Sequence, residues 1–173
     1  MPAQPEVWLR GPVPGISPLL QPVAHSLLQA REELQTALVG FPAELLAARP
    51  AGVASVGFHL RHLAGVLDRM HTYARAQPLS EAQLAYLAAE ETGPASPQTL
   101  SELLEQFSQR VEALLELLRV TPEAVLPESR AVGRASLPST VVGLLVHAAE
   151  HTTRHLGQVL VTARLVQAAF PAG

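Results

Sequence analysis

Residues 146–164 read VHAAEHTTRHLGQVLVTAR and place His147, His151 and His155 four residues apart. Residues separated by four share one face of a helix, so the three imidazoles form a single stripe about 80° wide. Two histidines one turn apart can grip a divalent cation but supply only part of the ligand set that a stable site needs. The rest must come from elsewhere in the chain. The other histidine-dense stretch is Phe58-His59-Leu60-Arg61-His62-Leu63-Ala64-Gly65, and five of the seven histidines fall in these two segments. The spacing predicts a three-histidine site where two helices face each other. On the later helix the geometry allows His147 with His151, or His151 with His155.

Around this pair of segments the chain reads as helical. With 173 residues it fits one domain with a substantial core. Nearly half of the residues are apolar and only 4% are aromatic, with Ala and Leu dominant, which favours an all-α fold. Residues 1–15, rich in Pro and Gly, are expected to form an extended arm tacked on by Trp8 and Leu9, with the helical domain spanning residues 16–170. Apolar residues at three- and four-residue spacing predict long helices over residues 17–40, 54–77, 96–119 and 139–167. Ser96-Pro97 and Ser139 are the expected starts of the last two. Ser80 with Gln83 predicts a capping box opening a short helix over residues 80–91. Residues 120–138, with three prolines and no sustained period, are expected to form a crossover loop with short local structure. Four long helices with short additions predict a bundle.

Composition narrows the chemistry. The formal charge is −3, from 15 acids and 12 bases, and every base is Arg. No basic run is present to follow a phosphate backbone, so nucleic-acid binding is not expected, and the absence of Lys excludes a Schiff base. Without cysteine, any metal must sit on His, carboxylate or water. No apolar stretch is long enough to span a bilayer and the start of the chain has no leader pattern, so a cytoplasmic location without membrane contact is expected. A Ser–His–Asp hydrolase is disfavoured, because Asp68 is the sole aspartate and lies about 120° around the helix from His62.

Imidazole ligands favour Zn, Ni, Cu or Fe over Mg or Ca. Three of them leave the ion its charge and an open position, as in catalytic sites. Gln158 extends the stripe one turn beyond His155. Arg69 and Tyr73 share the His62 face and are candidates to contact an anionic substrate. The helix bearing the stripe also carries Val142, Val146, Leu156 and Leu160 on its other side, so it must be covered from more than one direction, by a homodimer or by the arm and short helices.

HLRHLAGVLDRM together with TVVGLLVHAAEHTTRHLGQ resembles the DinB-like superfamily, also called the DinB/YfiT-like metalloenzymes. The resemblance spans nearly the whole chain in helix order and crossover position. It implies a four-helix bundle, often dimeric, with a divalent metal on three histidines. His62 matches the family's helix-two ligand, which precedes a Leu/Ile-Ala pair, and His151 and His155 match its other two, with His147 in place of His155 as the second choice. Zn or Ni is the implied ion, with Fe a further option. Characterised relatives include thiol-dependent transferases that use mycothiol or bacillithiol, among them a maleylpyruvate isomerase. The implied activity is therefore transfer of a low-molecular-weight thiol to an electrophile. The alternatives are a metal-dependent hydrolase and a non-catalytic, stress-related binding protein whose metal staples the bundle.

Overall fold

The computed structural model describes residues 4–90 and 98–170. Among them are five α-helices and one two-stranded sheet: α1 (Gln21–Ala37), α2 (Val56–Ala74), α3 (Glu81–Ala89), α4 (Leu100–Val120), β1 (Ser129–Val132), β2 (Leu137–Thr140) and α5 (Val141–Ala169). Helix α2 packs against both α5 and α4, and α1 packs against the same two, so the four long helices enclose one core. Leu27 and Leu34 of α1, Leu60 and Leu63 of α2, Phe107 and Leu114 of α4, and Leu145 and Val159 of α5 meet there, all essentially inaccessible to solvent. Burial of such side chains contributes about 1.5–3 kcal/mol each, before the opposing loss of chain entropy.

Local chemistry sets where the helices start. The Ser55 hydroxyl accepts from the Phe58 amide and begins α2, satisfying one of the amides that the first turn leaves without a partner. Ser80 and Gln83 form the expected reciprocal capping box on α3. Helix α4 opens on a second box, Thr99 with Glu102; the start expected at Ser96-Pro97 lies outside the described residues. Thr140, one residue beyond the expected Ser139, caps α5 by accepting from the Gly143 amide. With 29 residues, α5 is about 43 Å long and spans the whole fold.

One expectation is made specific and one, in the arm, is corrected. The short local structure within the crossover loop is an antiparallel hairpin over residues 129–140, with Ser129 opposite Thr140 and Ala131 opposite Pro138. Both strands are edges, so a proline that cannot donate is tolerated, and Gly133, at φ 67°, makes the reversal. Arg130 donates from Nε to the Ala74 carbonyl (2.8 Å), tying the hairpin to the end of α2. In the arm, Trp8 and Leu9 are 60% and 56% exposed, and it is Val7 that is buried, on a short 3-10 turn against α1. No helix among the described residues is long and apolar enough to cross a membrane.

Candidate metal centre

Helices α2 and α5 bring the two histidine segments together. His59 and His62 lie on α2, one turn apart; His147, His151 and His155 lie along α5. His62, His151 and His155 each offer a ring nitrogen, all within 4.8 Å of one another. Their ring centroids are 4.7 Å apart for His62 and His155, 4.5 Å for His151 and His155, and 5.1 Å for His62 and His151. All three are half-buried, reachable yet partly shielded from water. Phe58, one turn before His62, stacks on its ring at 5.4 Å with only 10° between the planes.

Each ring is held from behind in a different way. His62 Nδ1 lies 2.7 Å from Glu90 Oε2, and the other carboxylate oxygen of Glu90 accepts from Arg69. Burial alone would raise the Glu90 carboxyl, but hydrogen bonds from His62 and Arg69, with the charge of Arg69, outweigh it and hold the group below the usual range. An ionised carboxylate only accepts, so the His62–Glu90 contact requires a proton on Nδ1, and Nε2 is the ring nitrogen turned inward toward His151. His155 Nδ1 lies 2.9 Å from Nδ1 of the buried His59. Burial, reinforced by neighbouring histidines, pushes His59, His151 and His155 down to about 4, so each is a neutral imidazole at pH 7. That is the protonation state a metal ligand requires.

The donor set fits a cation. His62 Nε2 and His151 Nε2 lie 2.9 Å apart. With the His62 proton on Nδ1, this contact needs a proton on His151 Nε2, and that leaves His151 Nδ1 as a buried lone pair with no partner. A cation between the rings would take the inward Nε2 lone pairs and remove the need for a proton shared between His62 and His151, while His151 Nδ1 stays without a hydrogen-bond partner among the described residues in either case. The chemistry, three imidazole nitrogens and no thiolate, matches a borderline divalent metal better than Mg or Ca.

The remaining candidates fall elsewhere. His147 Nδ1 lies 2.9 Å from Glu150 Oε1 on the exposed side of α5. With His151 these two make a second, more open group of ligand atoms within 4.8 Å, although Arg154 occupies the other Glu150 oxygen (2.6 Å). Gln158 is exposed, one turn past His155. Arg69 is buried and engaged by Glu90. Tyr73 is half-buried against the core, three turns and about 16 Å along α2 from His62. Asp68 pairs with Arg110 (2.9 Å) and accepts from Gln83, away from any serine–histidine pair.

Sequence reasoning gave Glu90 no role, because it lies 28 residues from His62 and on another helix. Its one sequence signal is position. An acid at the end of a helix faces the negative pole of the helix dipole and needs some compensating contact.

The family model of the DinB superfamily matches residues 26–159, which include all five histidines of the two segments. The chain belongs to the DinB superfamily. No curated protein matches it.

Proposed function

We propose that this chain is a divalent-metal-dependent enzyme, with His62, His151 and His155 as the metal ligands and a low-molecular-weight thiol as the nucleophile it activates. The convergence of three imidazoles from α2 and α5 in a half-buried position, two of them held neutral by burial, carries the reading. The fold is read as a four-helix bundle of the DinB-like type, α1, α2, α4 and α5 being its members. Zn or Ni suits the ligands best, with Fe the third choice. When bound by three neutral ligands, such an ion supplies a Lewis-acid centre that stabilises a thiolate or acidifies water.

The chain's own residues do the rest. His62 is held by Glu90 and stacked by Phe58, His155 is backed by His59, and the surrounding apolar core limits water to one side. Gln158, exposed one turn beyond His155, is the residue we assign to substrate contact. The neutral pocket suits a nucleophile that arrives as a thiol and leaves its proton to solvent. With cysteine absent from the chain, the thiol must be brought in as substrate.

The test is an assay with Zn- or Ni-reconstituted protein, a low-molecular-weight thiol and an electrophilic acceptor. Consumption of the acceptor should depend on thiol, metal and His62, and fall to the uncatalysed rate in His62→Ala. Unfolding on chelation with no thiol-dependent turnover would instead make the metal a staple between α2 and α5. Metal-dependent loss of an ester without thiol would make the protein a hydrolase.

The reading includes a cytoplasmic homodimer. Leu156 is buried within the chain, but Val146, Val161 and Leu165 on α5 are each at least half-exposed and offer apolar surface to a second copy. Sedimentation equilibrium should return twice the chain mass; the mass of a single chain across the micromolar range would remove the dimer from the account.

A further inference from the structure

We propose that Glu90, anchored by Arg69 and seated on Gly65, is a positioning residue that fixes His62 with Nε2 facing the metal and strengthens it as a donor. This rests on the metal reading above.

Three locally unfavourable choices meet at one spot. Gly65 lies in the middle of α2, where glycine weakens a helix relative to alanine. Glu90 follows the last turn of α3, where the helix dipole disfavours an acid. It is also the one buried carboxylate among the described residues, 5% exposed, and it is paired with Arg69, itself only 8% exposed. Such a pair recovers its desolvation cost only when the geometry is good and the remaining polar atoms are satisfied.

The geometry explains why the three occur together. A Cβ on Gly65 would fall well inside contact of Glu90 Oε1 and 2.9 Å from both Arg69 Nη1 and Tyr86 Cε1. The missing side chain is therefore the seat in which the carboxylate lies against α2. Tyr86 borders that seat and its hydroxyl donates to the Arg61 carbonyl (3.0 Å), holding α3 down on α2. From the seat one oxygen of Glu90 reaches Arg69 and the other reaches His62 Nδ1.

If the ion pair only packed α3 onto α2, the second oxygen could take any donor. It takes the ring nitrogen opposite the one facing His151. A carboxylate there fixes the tautomer, stops the ring rotating and makes the other nitrogen more basic. Loss of such a partner weakens metal binding by about 10–100-fold in characterised metal sites. Arg69 acts one step further back, holding the carboxylate in place through its other oxygen.

Two variants separate positioning from packing. Glu90→Gln keeps the shape and leaves Arg69 an oxygen to bond, but removes the charge. Gly65→Ala favours the helix and puts a methyl where the carboxylate lies; Glu90 and Arg69 present flexible side-chain ends that can move, whereas the rigid Tyr86 ring, also 2.9 Å away, can yield only if α3 shifts on α2. For each, the Zn dissociation constant is measured by competition with a chromogenic chelator, alongside the melting temperature of the metal-free protein and the His62 tautomer from its ring 15N shifts.

The proposal expects Nδ1–H at His62 in metal-free wild type and loss of that single tautomer in both variants. It expects Zn binding about tenfold or more weaker in each, with Glu90→Gln melting close to wild type and Gly65→Ala melting lower because the buried pair and the Tyr86 ring are displaced. Zn affinity within twofold of wild type in both variants overturns it, as does an Nε2–H tautomer in wild type. If wild type itself binds neither Zn nor Ni, the metal reading fails and this proposal with it. That outcome is distinct from a wild type that binds and variants that bind equally well.

Discussion

His151→Ala should lose Zn binding by a larger factor than the ~10–100-fold typical of removing an outer partner of a ligand. His151 is the hinge of the ligand set: its Nε2 faces His62, and it lies one turn from His155 on α5. Without it, His62 and His155 hold at most two coordination positions, below the three or four of a stable site. His62→Ala and His155→Ala should behave alike. His147→Ala is the control: its ring is taken up with Glu150 on the exposed side, so its removal should change affinity little. Isothermal titration of the four variants with Zn makes the comparison. A large loss in His147→Ala with little change in His155→Ala would move the site outward to His147, Glu150 and His151.

Arg69→Ala should destabilise the fold by about 3–5 kcal/mol, the cost of leaving one member of a buried ion pair uncompensated. Glu90 would remain among apolar groups beneath α3 with only His62 to meet its charge. The same substitution in a Glu90→Gln background should cost less, because no buried negative charge is left behind. Denaturant unfolding of wild type, both single variants and the double variant measures the coupling. A loss below about 1 kcal/mol for Arg69→Ala would show that water reaches the pair.

The periodic apolar residues made the long helices legible, and Ser80 with Gln83 marked the start of α3 correctly. The facing of α2 and α5 was legible too, since five histidines fall in two short segments whose spacing aims them inward. His59, in the same segment as His62, lies behind His155. The hairpin was not legible: its strands are four residues long and contain a proline, so no alternation could accumulate. In the arm, large residues were the natural anchors, yet Trp8 and Leu9 face outward while the smaller Val7 is buried. Val7 also donates its amide to Gln29, a backbone contact that side-chain size cannot reveal. Glu90 and Gly65 escaped for a related reason. Their roles exist only where α3 folds back on α2, and neither residue type announces a partner on another helix.

The most direct test of the three-histidine centre is a metal titration of untagged wild-type protein followed by mass-spectrometric metal analysis. Zn or Ni should be retained at a single ion per chain, and the metal-loaded protein should melt above the metal-free form, as binding to the native state alone requires. Protein that stays metal-free after reconstitution with both ions, and melts at the same temperature with or without them, would contradict the account and leave the histidine stripe as packing between two helices.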